Sequence, residues 1–148
     1  MEMPYELYIM TTPELLWQAI VDPDIRARYN FGDRVTSDWI EGASIEVRSP
    51  DGANILGTGE VLEVDPPEQL VQTITARWSP EVEAEGVSRA RWDIEPIGDS
   101  CRLRLTHDQL RDDTNPEVNR GWPMILSGLK TWLETGELLT TPGSMVYT

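Results

Sequence analysis

The single histidine of this chain, His107, is the side chain best suited to acid–base chemistry, because an unperturbed imidazole titrates near neutral pH. Asp108 follows it directly, but adjacent residues of a strand point to opposite faces, so the two do not form a His–carboxylate dyad. We therefore expect a packed or rim histidine with one satisfied nitrogen. The alternative is a general acid–base role in a cyclase- or hydrolase-type enzyme, which requires His107 to face an accessible pocket with a second polar group within hydrogen-bond reach.

The single cysteine, Cys101, lies on the same predicted strand as His107. Six residues of extended chain separate the two side chains by roughly 20 Å, which excludes a Cys–His nucleophilic pair. One cysteine and one histidine also cannot build a disulfide or a zinc site within the chain. We accordingly expect no catalytic residue, no metal site and no cofactor.

The charge of the chain disfavours several classes of partner. Its 148 residues include 26 acidic and 12 basic side chains, for a net charge of −14. Such an acidic protein is repelled by nucleic acids and by anionic membrane surfaces. The sequence has no signal-peptide pattern and no apolar run near the roughly 20 residues of a membrane span. We expect a cytoplasmic protein in which Glu81, Glu83 and Glu85 form a solvated charge run within a loop over 79–86.

A β-hairpin over residues 87–108 is the element that positions both His107 and Cys101. Gly98-Asp99 suits a two-residue type II′ turn, and this turn sets the strand register. The register predicts four cross-strand pairs: Ile94 with Leu103, Trp92 with Leu105, Glu95 with Arg102, and Asp93 with Arg104. It also brings Ala90 opposite His107 and Arg89 near Asp108, so one face is apolar and the other is charge-paired. The arginines of this hairpin are therefore not expected to bind phosphate.

The remaining elements follow from hydrophobic periodicity and turn residues. A first strand over 5–10 precedes a helix in which Thr12 is the N-cap and Pro13 the first residue, and one or two further helical turns cover 24–29. The predicted strands that follow are 33–40, 43–48, 55–65, 69–78, 87–97 and 100–108. A long helix closes the fold, and we expect it to start near Pro116 and to kink at Pro123, the alternative being a start at Pro123 itself.

The six tryptophans add a further signal. Trp78 and Trp92 lie on predicted strands, and Trp122 and Trp132 lie on the last helix. These residues either pack a core or line a cavity between sheet and helix, in which indole N–H groups and His107 are the polar contacts.

This order of elements, together with four segments, resembles the START-like, or SRPBCC, superfamily, and within it the stand-alone bacterial domains similar to the C-terminal domain of the activator of the heat-shock protein 90 ATPase. The resembling segments are Thr12-Pro13-Glu14-Leu15-Leu16-Trp17 with Asp22-Pro23, residues 57–67, Leu105-Thr106-His107, and residues 121–136. The resemblance implies an α+β helix-grip fold, a curved antiparallel sheet wrapped around a long C-terminal helix, with two short helices between the first and second strands. The domain is expected to cover 1–137, and 138–148 to form a loose tail.

The resemblance also implies that a small apolar or lipid-like molecule binds in a cavity between sheet and helix, because many members of the superfamily do this and some cyclise or hydrolyse their ligand. The expected ligand-binding residues are Ile74, Trp78, Trp92, Leu105, His107, Trp122, Ile125, Leu126 and Leu129. Two features depart from the pattern: the tryptophan expected after Tyr29 is missing unless Trp39 replaces it, and the separate N-terminal domain of the full activator is missing. We therefore do not expect direct chaperone activation, although a protein-interaction domain is a further alternative, and homodimerisation is left open.

Overall fold

Seven antiparallel strands form one sheet in the computed structural model, which describes residues 1–144. The strands are β1 (Met3–Ile9), β2 (Arg34–Ser37), β3 (Ser44–Arg48), β4 (Ile55–Asp65), β5 (Gln69–Ala76), β6 (Val87–Ile97) and β7 (Ser100–Asp108). The helices are α1 (Pro13–Val21), α2 (Pro23–Ala27), α3 (Pro80–Glu83) and α4 (Trp122–Thr135), with a 3₁₀ turn at Pro116–Val118. The strand order is β1-β7-β6-β5-β4-β3-β2, and α4 packs on its inner face. The expected helix-grip architecture is thus confirmed.

Most strand boundaries agree with the sequence pattern; β1 covers residues 3–9 where 5–10 is predicted, and two further strands end early. The predicted and observed bounds are the same for β4, β6 and β7. The second strand stops at Ser37 and not at residue 40, because Trp39 has a left-handed backbone (φ 53°) that cannot continue a strand. The fifth strand stops at Ala76, two residues before its predicted end.

The β6–β7 hairpin has the predicted register. Ile94 faces Leu103, Trp92 faces Leu105 and Ala90 faces His107, and Gly98 in the turn has the positive φ (58°) that a type II′ turn requires. Arg89 forms two hydrogen bonds to Asp108, at 2.8 and 2.6 Å, and Arg102 pairs with Glu95. The charge-paired outer face is therefore confirmed in its main features.

One expected ion pair of this hairpin forms differently. Asp93 and Arg104 are cross-strand neighbours, but Arg104 makes its ion pair with Glu6 of β1, at 3.2 Å. Asp93 instead accepts hydrogen bonds from Arg91 and Gln69. Strand β1 lies beside β7 in the sheet and supplies Glu6 as the partner of Arg104. The register of the hairpin alone could not predict this pair.

The N-terminus of each of the first two helices has a side-chain cap. Thr12 Oγ1 accepts a hydrogen bond from the amide of Leu15, and Pro13 occupies the first turn of α1, as predicted. Asp22 accepts from the amides of Asp24 and Ile25 and so begins α2. These local bonds satisfy amides that have no partner within the helix.

The C-terminal carbonyls of α1 are capped by side chains from later in the chain. Tyr29 Oη donates to the carbonyl of Ala19 at 2.7 Å, and Arg26 donates to the carbonyl of Ile20 at 3.0 Å. The indole N–H of Trp39 donates to the carbonyl of Val21 at 3.0 Å. Trp39 thus packs against the core from beyond the second strand, in the region where the sequence lacks the expected tryptophan.

The segment 79–86 is not the solvated loop that its composition predicts. Ser79 caps the short helix α3, whose Val82 is fully buried. Glu85 is also largely buried, with its side chain 12% exposed. It accepts a hydrogen bond from the amide of Asn115 and lies 3.4 Å from Arg111. The expectation of a solvated run is therefore wrong for Glu85, because the chain after β7 folds back over it.

The last helix is not the kinked continuous helix that we expected. Pro116–Val118 forms a separate 3₁₀ turn, and α4 begins only at Trp122, with Pro123 in its first turn. Pro123 has no N–H, and in a helix continuous with the preceding segment its ring would clash with the carbonyl of Asn119. The helix therefore starts where a missing N–H costs nothing. The predicted stop at Gly136 is confirmed by its left-handed backbone (φ 74°).

The core lies between the inner face of the sheet and α4, with α1 at one side. Helix α4 closely approaches the turn that follows α2 at Gly128, where a Cβ atom would lie 2.9 Å from Cβ of Tyr29. No helix within residues 1–144 is long and apolar enough to cross a membrane. The predicted loose tail covers 138–148. Residues 138–144 form no helix or strand, and residues 145–148 lie outside the described residues.

Candidate functional site

A chain of three hydrogen-bonded side chains crosses the core and includes His107. The indole N–H of Trp122, at the start of α4, donates to Nδ1 of His107 on β7, at 3.0 Å. Nε2 of His107 lies 2.7 Å from Oγ of Ser88 on β6. Ser88 in turn donates to the backbone carbonyl of Ile74 on β5, at 3.3 Å. Both ring nitrogens of His107 are therefore satisfied, one more than the sequence predicts.

The direction of these bonds determines the protonation state of His107. An indole can only donate, so Nδ1 is an acceptor and the ring proton lies on Nε2, which donates to Ser88. Burial lowers the pKa of His107 to about 4, against a smaller opposing effect of Asp108. His107 is 1% exposed, and its imidazole is neutral at pH 7.

This arrangement differs from that of a nucleophilic serine. In a Ser–His pair that activates the hydroxyl, Nε2 accepts the serine proton and Nδ1 carries a proton held by a carboxylate. Here Trp122 imposes the opposite tautomer, so His107 cannot take a proton from Ser88 in this state. His107 also lines neither of the two cavities described below, so it does not meet the accessibility requirement of the acid–base alternative.

A small cavity lies beside Ser88, at the end of the hydrogen-bond chain. Its volume is about 10 Å³, about the smallest space that can hold one water molecule. Three elements enclose it: the inner face of β5, the start of β6 with the preceding turn, and the segment between β7 and α4. The lining residues are Ile74, Ala76, Glu85, Gly86, Ser88, Gln109, Leu110, Arg111, Thr114 and Val118.

The structure separates the nine predicted ligand-binding residues into three groups. Seven fill the space between sheet and α4 and are almost completely buried: Trp92, Leu105, His107, Trp122, Ile125, Leu126 and Leu129. Ile74 lines the small cavity. Trp78 lies beyond the end of β5 with 47% of its surface exposed and does not join the others. A ligand role for these residues stays a prediction.

The packing of the tryptophans explains why most of this space is filled. The rings of Trp92 and Trp122 meet edge to face, 5.6 Å apart, and the ring of His107 packs against Trp122 in the same manner. The indole N–H of Trp92 donates to Gln72, so both buried indoles already have partners. They are therefore not free to orient a ligand in this state.

Sequence reasoning missed Ser88 and Gln72, the two polar side chains that complete this interior. Each occupies an inward position of its strand: Ser88 lies two residues before Ala90, and Gln72 lies between Leu70 and Ile74. A polar residue at an inward strand position is a detectable signal, because such a group must find a hydrogen-bond partner. The sequence alone does not show which partner it finds.

A second buried polar cluster surrounds Arg26 and has a structural role. Arg26 is 5% exposed, and its guanidinium donates to Asn30 and to the carbonyl of Ile20 and lies 5.1 Å from the ring centre of Trp92. Burial lowers the pKa of Arg26 and raises the pKa of nearby Asp33 to about 7, although Arg26 opposes the latter shift. The buried guanidinium thus caps a carbonyl near the end of α1 from inside the core.

Cys101 is buried as predicted. Its thiol donates to the carbonyl of Thr11 at 3.3 Å, and burial raises the pKa of the thiol. A nucleophilic cysteine requires a lowered pKa and partial exposure. Within residues 1–144, no group of three or more His, Cys, Asp or Glu side chains is placed to hold a metal ion.

A larger, polar cleft of about 460 Å³ lies at the outer face of the β6–β7 hairpin. Acidic residues and two arginines line it: Asp65, Glu68, Asp93, Glu95, Arg102 and Arg104, together with Gln69, Ile94 and Pro96. Both arginines are already paired with carboxylates of β1 or β6. The two arginines of this cleft are therefore charge-compensated.

Comparison with solved structures identifies many proteins with this fold. The Aha1 dimer from Colwellia psychrerythraea is 17% identical, with a TM-score of 0.74 over 93% of this chain and 98% of that one. An Hsp90 activator from Plasmodium falciparum is 19% identical, with a TM-score of 0.73 over 90% and 96%. CalU16 from Micromonospora echinospora is 19% identical, with a TM-score of 0.73 over 91% and 77%. At these identities the likeness establishes the fold alone.

The sequence itself establishes the family. A search of curated proteins found no significant match. The model of the family described as "Activator of Hsp90 ATPase homolog 1-like protein" matches residues 10–134, which include nearly all of the helices and strands. The chain therefore belongs to the Activator of Hsp90 ATPase homolog 1-like family.

Proposed function

We propose that this protein binds a small, mostly apolar molecule at the cavity beside Ile74 and Ser88. One observation supports the proposal: the hydrogen-bonded chain Trp122–His107–Ser88 ends at the wall of this cavity, and the rest of the wall surface is mainly apolar. Ligand sites commonly combine apolar walls with a few placed polar groups. A ligand larger than water enters only when the segment 109–121 moves away, because this segment supplies one wall of the cavity.

The site is narrower than the cavity that the sequence predicts. The side chains of Trp92, Leu105 and Leu129 are fully buried and occupy the centre of the space between sheet and α4. The ligand is therefore bound near one end of the sheet, below the segment that joins β7 to α4. A ligand there contacts Ile74 directly and His107 only through Ser88.

Titration of the purified protein with N-phenyl-1-naphthylamine, a neutral apolar fluorophore, tests this function. We expect saturable enhancement of its fluorescence in wild-type protein and loss of that enhancement in Ala76→Leu, which fills the cavity. Ala53→Leu makes the same chemical change at an exposed turn and should bind like wild type. Urea unfolding verifies that Ala76→Leu is folded. Absence of binding to wild-type protein, or equal binding to both variants, would refute the proposal.

A second candidate function is binding to Hsp90, the partner named in the description of the family and of the Plasmodium falciparum relative. The observation that favours it is the exposure of Trp78, Ile55 and Val87, three large apolar residues at neighbouring strand ends. Stimulation of the ATPase activity of purified Hsp90, measured with wild-type protein and with Trp78→Ser, tests it. A loss of stimulation confined to the variant supports this function, and no stimulation by either protein refutes it.

A further inference from the structure

The hydroxyl of Ser88, at the cavity wall, donates a long hydrogen bond. Ser88 Oγ accepts from Nε2 of His107 at 2.7 Å, but its proton is directed to the carbonyl of Ile74 at 3.3 Å. Hydroxyl donors in proteins usually lie 2.5–3.0 Å from their acceptors. The Ser88 donor is therefore held in a long bond, and a better-placed acceptor could replace it at little cost.

His107 makes this hydroxyl a stronger donor. A hydroxyl that accepts a hydrogen bond is polarised, so its own proton is donated more readily. Trp122 maintains this direction, because its indole N–H occupies Nδ1 and leaves the ring proton on Nε2. The bond from His107 also occupies one acceptor site of Ser88 Oγ. The hydroxyl proton is then the group that Ser88 can best offer to a ligand.

The charged groups at the cavity wall are already compensated. Glu85 binds the amide of Asn115 and lies beside Arg111, and Arg111 also binds Asp113. A charged ligand would therefore find neither a free cation nor a free anion among these groups, and it would lose its hydration on entry. A neutral ligand does not meet this cost.

We propose that Ser88 determines the specificity of this site by donating its hydroxyl proton to a neutral carbonyl oxygen, such as that of a ketone, ester or amide, on an otherwise apolar ligand. This inference rests on the proposed binding function. His107 and Trp122 act as positioning residues, since they reach the ligand only through Ser88.

Two naphthalene probes of nearly equal shape test this assignment. In 2-acetylnaphthalene a carbonyl oxygen takes the place of the methylene group of 2-isopropenylnaphthalene. Competition against N-phenyl-1-naphthylamine gives the dissociation constant of each probe. We expect wild-type protein to bind the ketone about fivefold more tightly than the alkene, the ratio that one hydrogen bond contributes.

The variants separate hydrogen bonding from structural damage. Ser88→Ala should lose the preference for the ketone, while Ser88→Thr, which keeps a hydroxyl, should retain it. Trp122→Phe frees Nδ1 of His107 and should reduce the preference with Ser88 still present. A wild-type protein that binds the fluorophore but does not distinguish the two probes would refute the role of Ser88 and leave the proposed function standing. If the fluorophore itself does not bind, the proposed function fails first.

Discussion

Trp122, the first residue of α4, donates its indole N–H to Nδ1 of His107 near the end of β7, at 3.0 Å. This bond joins the helix to the sheet through two buried side chains and determines which imidazole nitrogen carries the proton. It also explains why the one histidine of the chain is a neutral structural group in this state. Reactivity at this position would require the bond to break.

The protonation state of His107 is directly measurable, because the chain has no other histidine. We expect ¹⁵N NMR to show a neutral ring with the proton on Nε2 at pH 7, and titration only near pH 4. Trp122→Phe should mix the two tautomers. A proton on Nδ1 in wild-type protein, or titration near pH 6.5, would contradict this prediction.

The lowered pKa of His107 also affects stability. Between pH 6.5 and 4 the unfolded chain binds a proton that the folded protein does not, so the free energy of unfolding falls with the pH, by up to about 3 kcal/mol. Asp33 has the opposite effect over much of this window. The fall is therefore best measured by urea unfolding in the Asp33→Asn background.

Asp33 itself should destabilise the protein at alkaline pH. Burial raises its pKa to about 7, so the folded protein keeps a proton that the unfolded chain loses above its ordinary pKa of 3.8. Stability from this group is therefore present at low pH and is lost as the pH rises through 7. We expect Asp33→Asn to increase the free energy of unfolding more at pH 8 than at pH 4. Asp38→Asn, at an exposed carboxylate, controls for net charge.

Gly128 should not tolerate a larger residue, although it lies within a helix. Its missing Cβ would be 2.9 Å from Cβ of Tyr29, whose hydroxyl is held by the carbonyl of Ala19. Overpacking costs about 1–3 kcal/mol, and replacement of a helical glycine by alanine regains up to about 1 kcal/mol. We expect Gly128→Ala to lower the free energy of unfolding by about 1 kcal/mol. Ser127→Ala, exposed on the same helix, should be neutral or slightly stabilising.

Helix α4 also covers part of the free edge of β1. Lys130 donates to the carbonyl of Tyr8 at 2.6 Å, and Glu134 accepts from the amide of Met10 at 2.9 Å. Because β1 is an edge strand, these bonds occupy backbone groups that another strand could pair with.

We therefore expect Glu134→Ala to increase self-association in analytical ultracentrifugation and to destabilise the protein by about 1 kcal/mol or less. Glu137→Ala removes a charge three residues later without touching β1 and should behave like wild type. Identical sedimentation of wild type and Glu134→Ala over a range of concentrations would contradict the prediction.

Local sequence rules predicted the elements and the hairpin well. Alternation and the Gly98-Asp99 turn were enough to place Trp92 opposite Leu105 and His107 opposite Ala90, because a two-residue turn allows one register. The same reasoning placed Cys101 inside and away from His107. It erred at Glu85 and at the start of α4, where a folded-back segment and the alternative positions of Pro123 are not local properties.

The sequence by itself therefore determined the β6–β7 register, the capped start of α1 and the apolar inner face, since each depends on residues close together in the chain, and its resemblance to a known superfamily indicated the fold class. Only the tertiary structure decided the protonation state of His107, because its hydrogen-bond partners Ser88 and Trp122 come from β6 and α4 and reach it through packing. It also decided that most of the expected cavity is filled. Small shifts in packing decide whether large side chains fill or line a space, and composition and periodicity do not record such shifts.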